Sequence, residues 1–250
     1  MPTRIDPVSV LNDPRLTLMG VPGSPYTRKM LAVLRYRQIP YRLILASNVT
    51  GGEVEGLPAP KVSLLPTFFL RGADGALEAV TDSTPLIRRL EQSHTGRSVI
   101  PTDPALALVD ALIEDYADEW LTKAMFHYRW SYAADIAKAG AVLPVWSRPP
   151  LSDDELAKYA ALISERQIAR LRYVGSNEVT GPVIEASYER FLDAFEDHQR
   201  SHRFLLGARP GAGDFGVVGQ LTQLAHFDPT CMAVTLARAP RTFGWTGSVE

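Results

Sequence analysis

The sequence predicts an α/β half followed by an all-helical half within one chain of 250 residues. Three observations carry this. Strand and helix signals alternate up to about residue 92, the apolar spacing turns helical after Pro101, and the composition shifts between 93 and 104. Domains usually run to roughly 100–200 residues. The expected division is therefore an N-terminal extension at 1–15, an α/β domain at 16–92, a linker at 93–104 and a helical domain at 105–250.

Leu16-Thr17-Leu18-Met19 is a short β-type run that stops at Gly20. Pro22-Gly23-Ser24-Pro25 then makes a turn and a helix start, with Ser24 a good N-cap and Pro25 suited to the first helical position. The helix to about Gln38 carries Tyr26, Met30, Val33 and Leu34 on one face, and Tyr41 to Leu45 reads as a second strand. Residues 46–62, with Gly51-Gly52 and two prolines, read as irregular. Thr67 to Leu70 and Glu78 to Thr81 flank an Ala73-Asp74-Gly75 turn and read as an antiparallel hairpin. Asp82 or Ser83 then caps a helix to about Glu91. The order is β-α-β, an irregular connection, then β-β-α.

Beyond Pro101, Leu106, Val109, Ile113, Tyr116 and Trp120 recur at helical spacing. Residues 131–151 read as a loose connector ending in Arg148-Pro149-Pro150. Ser152-Asp153-Asp154-Glu155 is a capping box opening a helix to about Val174. A further helix follows Pro182, burying Ile184, Phe191, Leu192 and Phe195, and another follows Asp214 through about Leu224. The tail from 235 has no clear pattern.

Composition narrows the function classes. Hydrophobic residues make up 46% and charged residues 22%, which excludes wholesale disorder and coiled-coil architecture. A net charge of −2 lacks the basic excess of a typical nucleic-acid binder. The single cysteine, Cys231, excludes an intrachain disulfide framework and any CxxC motif, and it suits a reducing, cytoplasmic setting. No apolar h-region opens the chain and no stretch approaches the ~18 apolar residues of a membrane span, since ALALVDALI is broken by Asp110. Neither a nucleic acid nor a membrane is the expected partner.

Four segments, MGVPGSPYTRKMLAVL, LLPTFFL, VTDSTPLIRRLE and RFLLGARPGAGDFGVVGQL, resemble in order and separation the glutathione transferase superfamily, of the serine type seen in bacterial-like members. The resemblance spans roughly residues 16–91 and 105–226. It implies a thioredoxin-like N-terminal domain, an all-α C-terminal domain, bound glutathione as co-substrate and a homodimer. By resemblance, Ser24 takes the hydroxyl-or-cysteine position at the start of the first helix. Pro66 takes the cis-proline, with the backbone at Leu65 pairing with the cysteinyl part of glutathione. Asp82 and Ser83 take the γ-glutamyl end. No metal is implied.

The physical chemistry fits those roles. A thiol of pKa about 8.5 is nucleophilic only as the thiolate, and lowering it by two units needs about 2.7 kcal/mol. A hydroxyl donating to the anion supplies roughly 1.5–3 kcal/mol, and the positive end of a helix roughly 0.3–1 kcal/mol. A serine cannot form a mixed disulfide, which argues against thiol-reductase chemistry. Asp82 and Ser83 at a helix start offer an acceptor for an ammonium and donors for a carboxylate.

Each site residue also has a plainer role. Ser24 and Asp82 serve equally as helix caps, and Tyr26 and Thr27 compete with Ser24 for the thiol. Lys61, or the backbone near Leu65, are alternative contacts to the peptide. Tyr116 and Trp120 fit a core stripe, whereas Tyr128 and Trp130 break it and are the better candidates for a hydrophobic-substrate pocket. The basic run Arg28, Lys29, Arg35, Arg37 and Arg42 reads as a solvated face. His198 and His202 lack the glutamate of an HExxH site and read as surface residues. Asp214 resembles the family's buried capping aspartate, but Gly211 stands where a serine or threonine completes the box, so Asp214 is structural. The activity implied is addition of the glutathione thiolate to a small electrophilic organic molecule. The alternatives are a glutathione-dependent isomerase or lyase of a catabolic pathway, and a non-catalytic interaction protein of the same fold.

Overall fold

The computed structural model describes residues 4–47, 54–147 and 150–249; Gly51-Gly52 and Arg148-Pro149 lie outside the described residues. A short helix, α1 (Pro7–Asn12), precedes β1 (Leu16–Gly20), α2 (Pro25–Tyr36) and β2 (Tyr41–Leu45). The hairpin β3 (Thr67–Arg71) and β4 (Leu77–Val80) follows, and then α3 (Ser83–Ser93). The sheet order is β2-β1-β3-β4, with β1 parallel to β2 and antiparallel to β3, and β3 antiparallel to β4. This is the expected thioredoxin-like arrangement.

The two-residue period of the strands divides the core. Leu18 and Phe68 face Met30, Leu34, Leu86 and Ile87 on the side of α2 and α3. Met19 and Phe69 face Ile5, Val10 and Ala46 on the other. Residues 4–15 are thus not merely an extension, because Ile5 and Val10 cover the second face of the sheet.

The helical domain begins with α4 (Pro104–Asp115), continues through a π-helical turn (Tyr116–Leu121) and ends its first long rod with α5 (Thr122–Ser131). Next comes α6 (Ala133–Ser147), where a connector was expected. Pro144 sits inside this helix, and that proline with Gly140 hid it from a propensity reading. α7 (Asp153–Ile168) opens on the expected capping box at Ser152. α8 (Gly181–His198), α9 (Ala212–Leu224), α10 (Pro229–Arg238) and α11 (Pro240–Val249) complete the domain. The patternless tail is therefore two helices. Among the described residues, no helix is long and apolar enough to cross a membrane.

α9 is buried along its whole length and joins the two halves. Gly219 allows this contact, since a Cβ there would lie 2.5 Å from the Pro25 carbonyl oxygen of α2. At the start of α9, Asp214 accepts from the Gly211 N–H at 2.9 Å and the Leu205 N–H at 3.0 Å. The absent serine or threonine is replaced from α4: Asp110 accepts from the N–H groups of Ala212 (3.1 Å) and Gly213 (3.0 Å). Gly211 is required by this arrangement, because a Cβ would fall 2.2 Å from Asp110 Oδ1.

Burial pushes the Asp214 carboxyl up to about 6, with the N–H groups of Leu205 and Gly211 pulling it back. A folded value above the unfolded one (~3.9) means the native state holds this proton more tightly. The contribution of Asp214 to stability therefore falls as pH rises from about 4 to about 6. Carboxyl carbon NMR is expected to place its midpoint near 6, and Asp214→Asn to remove that component of the pH dependence of unfolding.

Candidate functional site

Ser24 caps α2, its Oγ accepting from the Thr27 N–H at 3.2 Å. Among the described residues its own O–H donates to nothing. Of the two competing hydroxyls, one is committed elsewhere and the other is buried. Tyr26 donates to the Asp118 carbonyl oxygen at 2.6 Å, and burial raises its phenol to about 12, so it stays protonated. Thr27 is fully buried, with Oγ1 turned against Gly20 of β1.

Leu65–Pro66 is a cis peptide. Asp82 sits at φ +80°, a left-handed conformation that a non-glycine residue adopts at a cost, and its carboxylate caps Thr84 N at 3.3 Å. A cavity of about 470 Å³ opens between these segments and the helical domain. Tyr26, Leu65, Asp82, Ser83 and Thr84 line it on one side, and Glu114, Asp115, Asp118 and Glu119 on the other. The structure thus brings Leu65, Asp82 and Ser83 to one cavity. Pro66 lies beside it, and Ser24 is two residues from the lining residue Tyr26. Lys61 is exposed and is not among the lining residues.

Beneath the wall is a charge cluster the sequence did not announce. Lys29 is 1% exposed, and its Nζ donates to Ser83 Oγ (3.0 Å), Glu114 Oε1 (2.8 Å) and Asp118 Oδ2 (2.5 Å). Thr84 Oγ1 also donates to Glu114 at 3.0 Å, and Arg88 meets Glu114 from the outside at 3.4 Å. Burial raises the Asp118 carboxyl, and Lys29 opposes that. The expectation of a solvated basic face fails for Lys29, and for Arg37, which pairs with Glu91 at 3.1 Å. The signal for Lys29 was its register, three residues after Tyr26 and four before Val33, on the buried stripe of α2. Its partners had a signal too: Asp110, Glu114 and Asp118 stand four apart and share one face, which is turned inward.

The aromatic candidates separate. Tyr116 is half-buried against Phe191. Trp120 is exposed and donates from Nε1 to Ser187 Oγ at 2.6 Å. Tyr128 and Trp130 are core residues, each 2% exposed: Tyr128 packs on Tyr132 and Tyr188, and Trp130 on Phe126. None of these residues lines the cavity. The aromatic residues beside the Pro22–Gly23 turn are Trp146, against Gly23, and Phe227, which with Trp146, Pro22 and Gln223 lines a second cavity of about 340 Å³. Trp146 was missed because its segment read as a connector. His198 and His202 stack with ring centroids 4.5 Å apart, and Cys231 is fully buried.

Comparison with known proteins adds family and fold. The family model described as Glutathione S-transferase, N-terminal domain, matches residues 18–98, and that described as Glutathione S-transferase, C-terminal domain, matches residues 152–247. No curated protein sequence matches. Among solved structures, a glutathione transferase family member from Pseudomonas fluorescens with two glutathione bound is 13% identical, with a TM-score of 0.57 over 94% of this chain and 88% of that one. A glutathione transferase from Burkholderia graminis, with two glutathione molecules per subunit, is 15% identical, with a TM-score of 0.58 over 94% and 83%. A glutathione S-transferase from Methylobacterium radiotolerans in complex with glutathione sulfonate is 20% identical, with a TM-score of 0.56 over 94% and 90%. With both domain models matched in order on the two halves of this fold, the chain belongs to the glutathione S-transferase superfamily.

Proposed function

We propose that the protein is a glutathione transferase that holds the glutathione thiol as thiolate and directs it at a small electrophilic organic molecule. The observation that carries this reading is the cavity wall that joins Leu65, next to the cis Pro66, to Asp82 and Ser83 at the start of α3. In this reading the Leu65 backbone pairs with the cysteinyl peptide. The Asp82 carboxylate accepts the γ-glutamyl ammonium, and Ser83, whose oxygen already accepts from Lys29, turns its proton to the γ-glutamyl carboxylate. Ser24 is the thiol contact, because its O–H is uncommitted, unlike that of Tyr26, and part-exposed, unlike the fully buried Thr27, and it stands at the positive end of α2. Tyr116 and Trp120 belong to this proposal only as residues flanking the site, and Tyr128 and Trp130 as its support. The proposal includes domain limits of 16–92 and 105–250, and the lone buried Cys231 fits a reducing, cytoplasmic setting.

The reading is tested by following thiolate absorbance of bound glutathione against pH. The wild type is expected to hold the thiol one to two units below the free value of about 8.5, and Ser24→Ala to return it toward that value. An unshifted thiol in the wild type contradicts the reading. Stoichiometric consumption of glutathione separates conjugation from the isomerase or lyase alternative, which regenerates it. The interaction-protein alternative rests on the incomplete box at Gly211 and the irregular segment 46–62; Asp110 supplies the missing half of the box, and residues 48–53 of the segment lie outside the described residues.

A homodimer is part of the proposal. Trp120, expected to fit a core stripe, is exposed together with Leu106, Leu108, Val109 and Leu112, while the acidic stripe of α4 faces inward. An apolar face of this kind marks an interaction surface. Leu112→Glu is expected to weaken self-association at least ~10-fold, measured by sedimentation equilibrium.

A further inference from the structure

We propose that Arg129, working through Gln223, is the positioning residue for Ser24: together they fix the two carbonyl groups of the Pro22–Gly23 turn that presents the Ser24 hydroxyl. This rests on the reading of Ser24 as the thiol contact.

Arg129 lies on α5 and is 4% exposed. Its guanidinium grips Asp228, itself fully buried, through Nε (2.8 Å) and Nη2 (2.9 Å). Nη2 also reaches Gln223 Oε1 at 2.8 Å, and Nη1 donates to the Gly23 carbonyl oxygen at 3.0 Å. The amide of Gln223 then donates to the Pro22 carbonyl oxygen at 3.1 Å. Arg28 Nε reaches the same oxygen at 3.1 Å. Both carbonyls immediately before Ser24 are therefore held by side chains, and two of the three belong to the helical domain.

A buried ion pair is a poor source of net stability, because desolvation cancels most of the attraction. The arrangement is better explained by what its rigid fork specifies, since a guanidinium can hold a carboxylate, an amide and a carbonyl in one plane and an ammonium cannot. The peptide group is planar, so fixing the Gly23 oxygen fixes the plane that carries the Ser24 nitrogen. That nitrogen donates to the Val21 carbonyl oxygen at 3.0 Å. On the other side Gly23 is closed in by Leu143, whose Cδ2 would lie 2.3 Å from a Cβ at that position. These contacts hold the turn against carrying Ser24 away from a bound thiol, and misplacement by 1 Å costs on the order of 100-fold in rate.

The test uses two variants of the full chain. Arg129→Lys keeps a charge beside Asp228 but cannot span to both Gly23 and Gln223. Gln223→Met keeps the Arg129–Asp228 pair, so it folds even if the first variant does not. In each folded variant the bound glutathione thiol is expected to move about one unit toward its free value. The same variants should lose roughly 10-fold in kcat, with KM for glutathione changed less than about 3-fold. The second readout needs no glutathione: hydrogen exchange at the Ser24 amide is expected to accelerate about 10-fold in both. An unchanged thiol and an unchanged kcat in the folded variants overturn the proposal. If the wild type binds no glutathione, the proposed function falls separately. Ser24 exchange then decides the positioning role, which unaltered exchange overturns and accelerated exchange supports.

Discussion

Lys29→Met is expected to lower the unfolding free energy by about 3–5 kcal/mol, the range for removing one partner of a buried ion pair. The replacement is close in volume, so the loss is electrostatic. Glu114 and Asp118 would be left side by side beneath the cavity with Arg88, at 3.4 Å and from outside, as their remaining cation. The pH dependence identifies the cause. Burial already raises the Asp118 carboxyl while Lys29 draws it down, so losing Lys29 raises it further. A folded value above the unfolded one makes this group's contribution largest in acid and smaller as pH rises through the folded value. The deficit of Lys29→Met is therefore expected to shrink toward pH 4 and to be full at pH 7–8, read from urea midpoints of both proteins. A deficit independent of pH would mean that packing, and not charge, dominates.

Gly211→Ser, which restores the residue type that the resemblance associates with this position, is expected to destabilise the protein. Its Cβ would meet Asp110 Oδ1 at 2.2 Å. Displacing that carboxylate strips the acceptor from the buried Gly213 N–H, while the Ala212 N–H keeps the Val99 carbonyl oxygen at 2.8 Å. An orphaned buried donor costs about 1–3 kcal/mol, and a loss of that size is expected. Asp110→Ala alone removes the same acceptor from the Gly213 N–H and should fall in the same range. In the double variant the serine has room and caps α9 in the ordinary way, worth about 0.5–2 kcal/mol. The two losses should then be strongly non-additive, with the double variant at least as stable as either single one. Additive losses in denaturant melts would show that Asp110 and Gly211 do not share one task.

These two residues also show what the sequence could and could not disclose. The strands, α2, the hairpin, α3 and α9 were legible because their apolar periods and caps are local. Asp110 interrupted an apolar run and was visible as an interruption, but its role depends on a backbone about a hundred positions away. The outward turn of Leu108 and Leu112 is likewise set by what α4 packs against, and not by its spacing. α6 was lost to Pro144. For the candidate site, the resemblance named Leu65, Asp82 and Ser83, which line one cavity. Lys29, Arg129 and Gln223 join segments distant in the chain, which no window of sequence brings together.

The most direct test of the account is a glutathione titration of the wild-type protein followed by backbone amide shifts. The account predicts saturable binding with the largest shifts at Leu65, Asp82, Ser83 and the first turn of α2. No binding at millimolar glutathione, or shifts confined to other parts of the molecule, would contradict it.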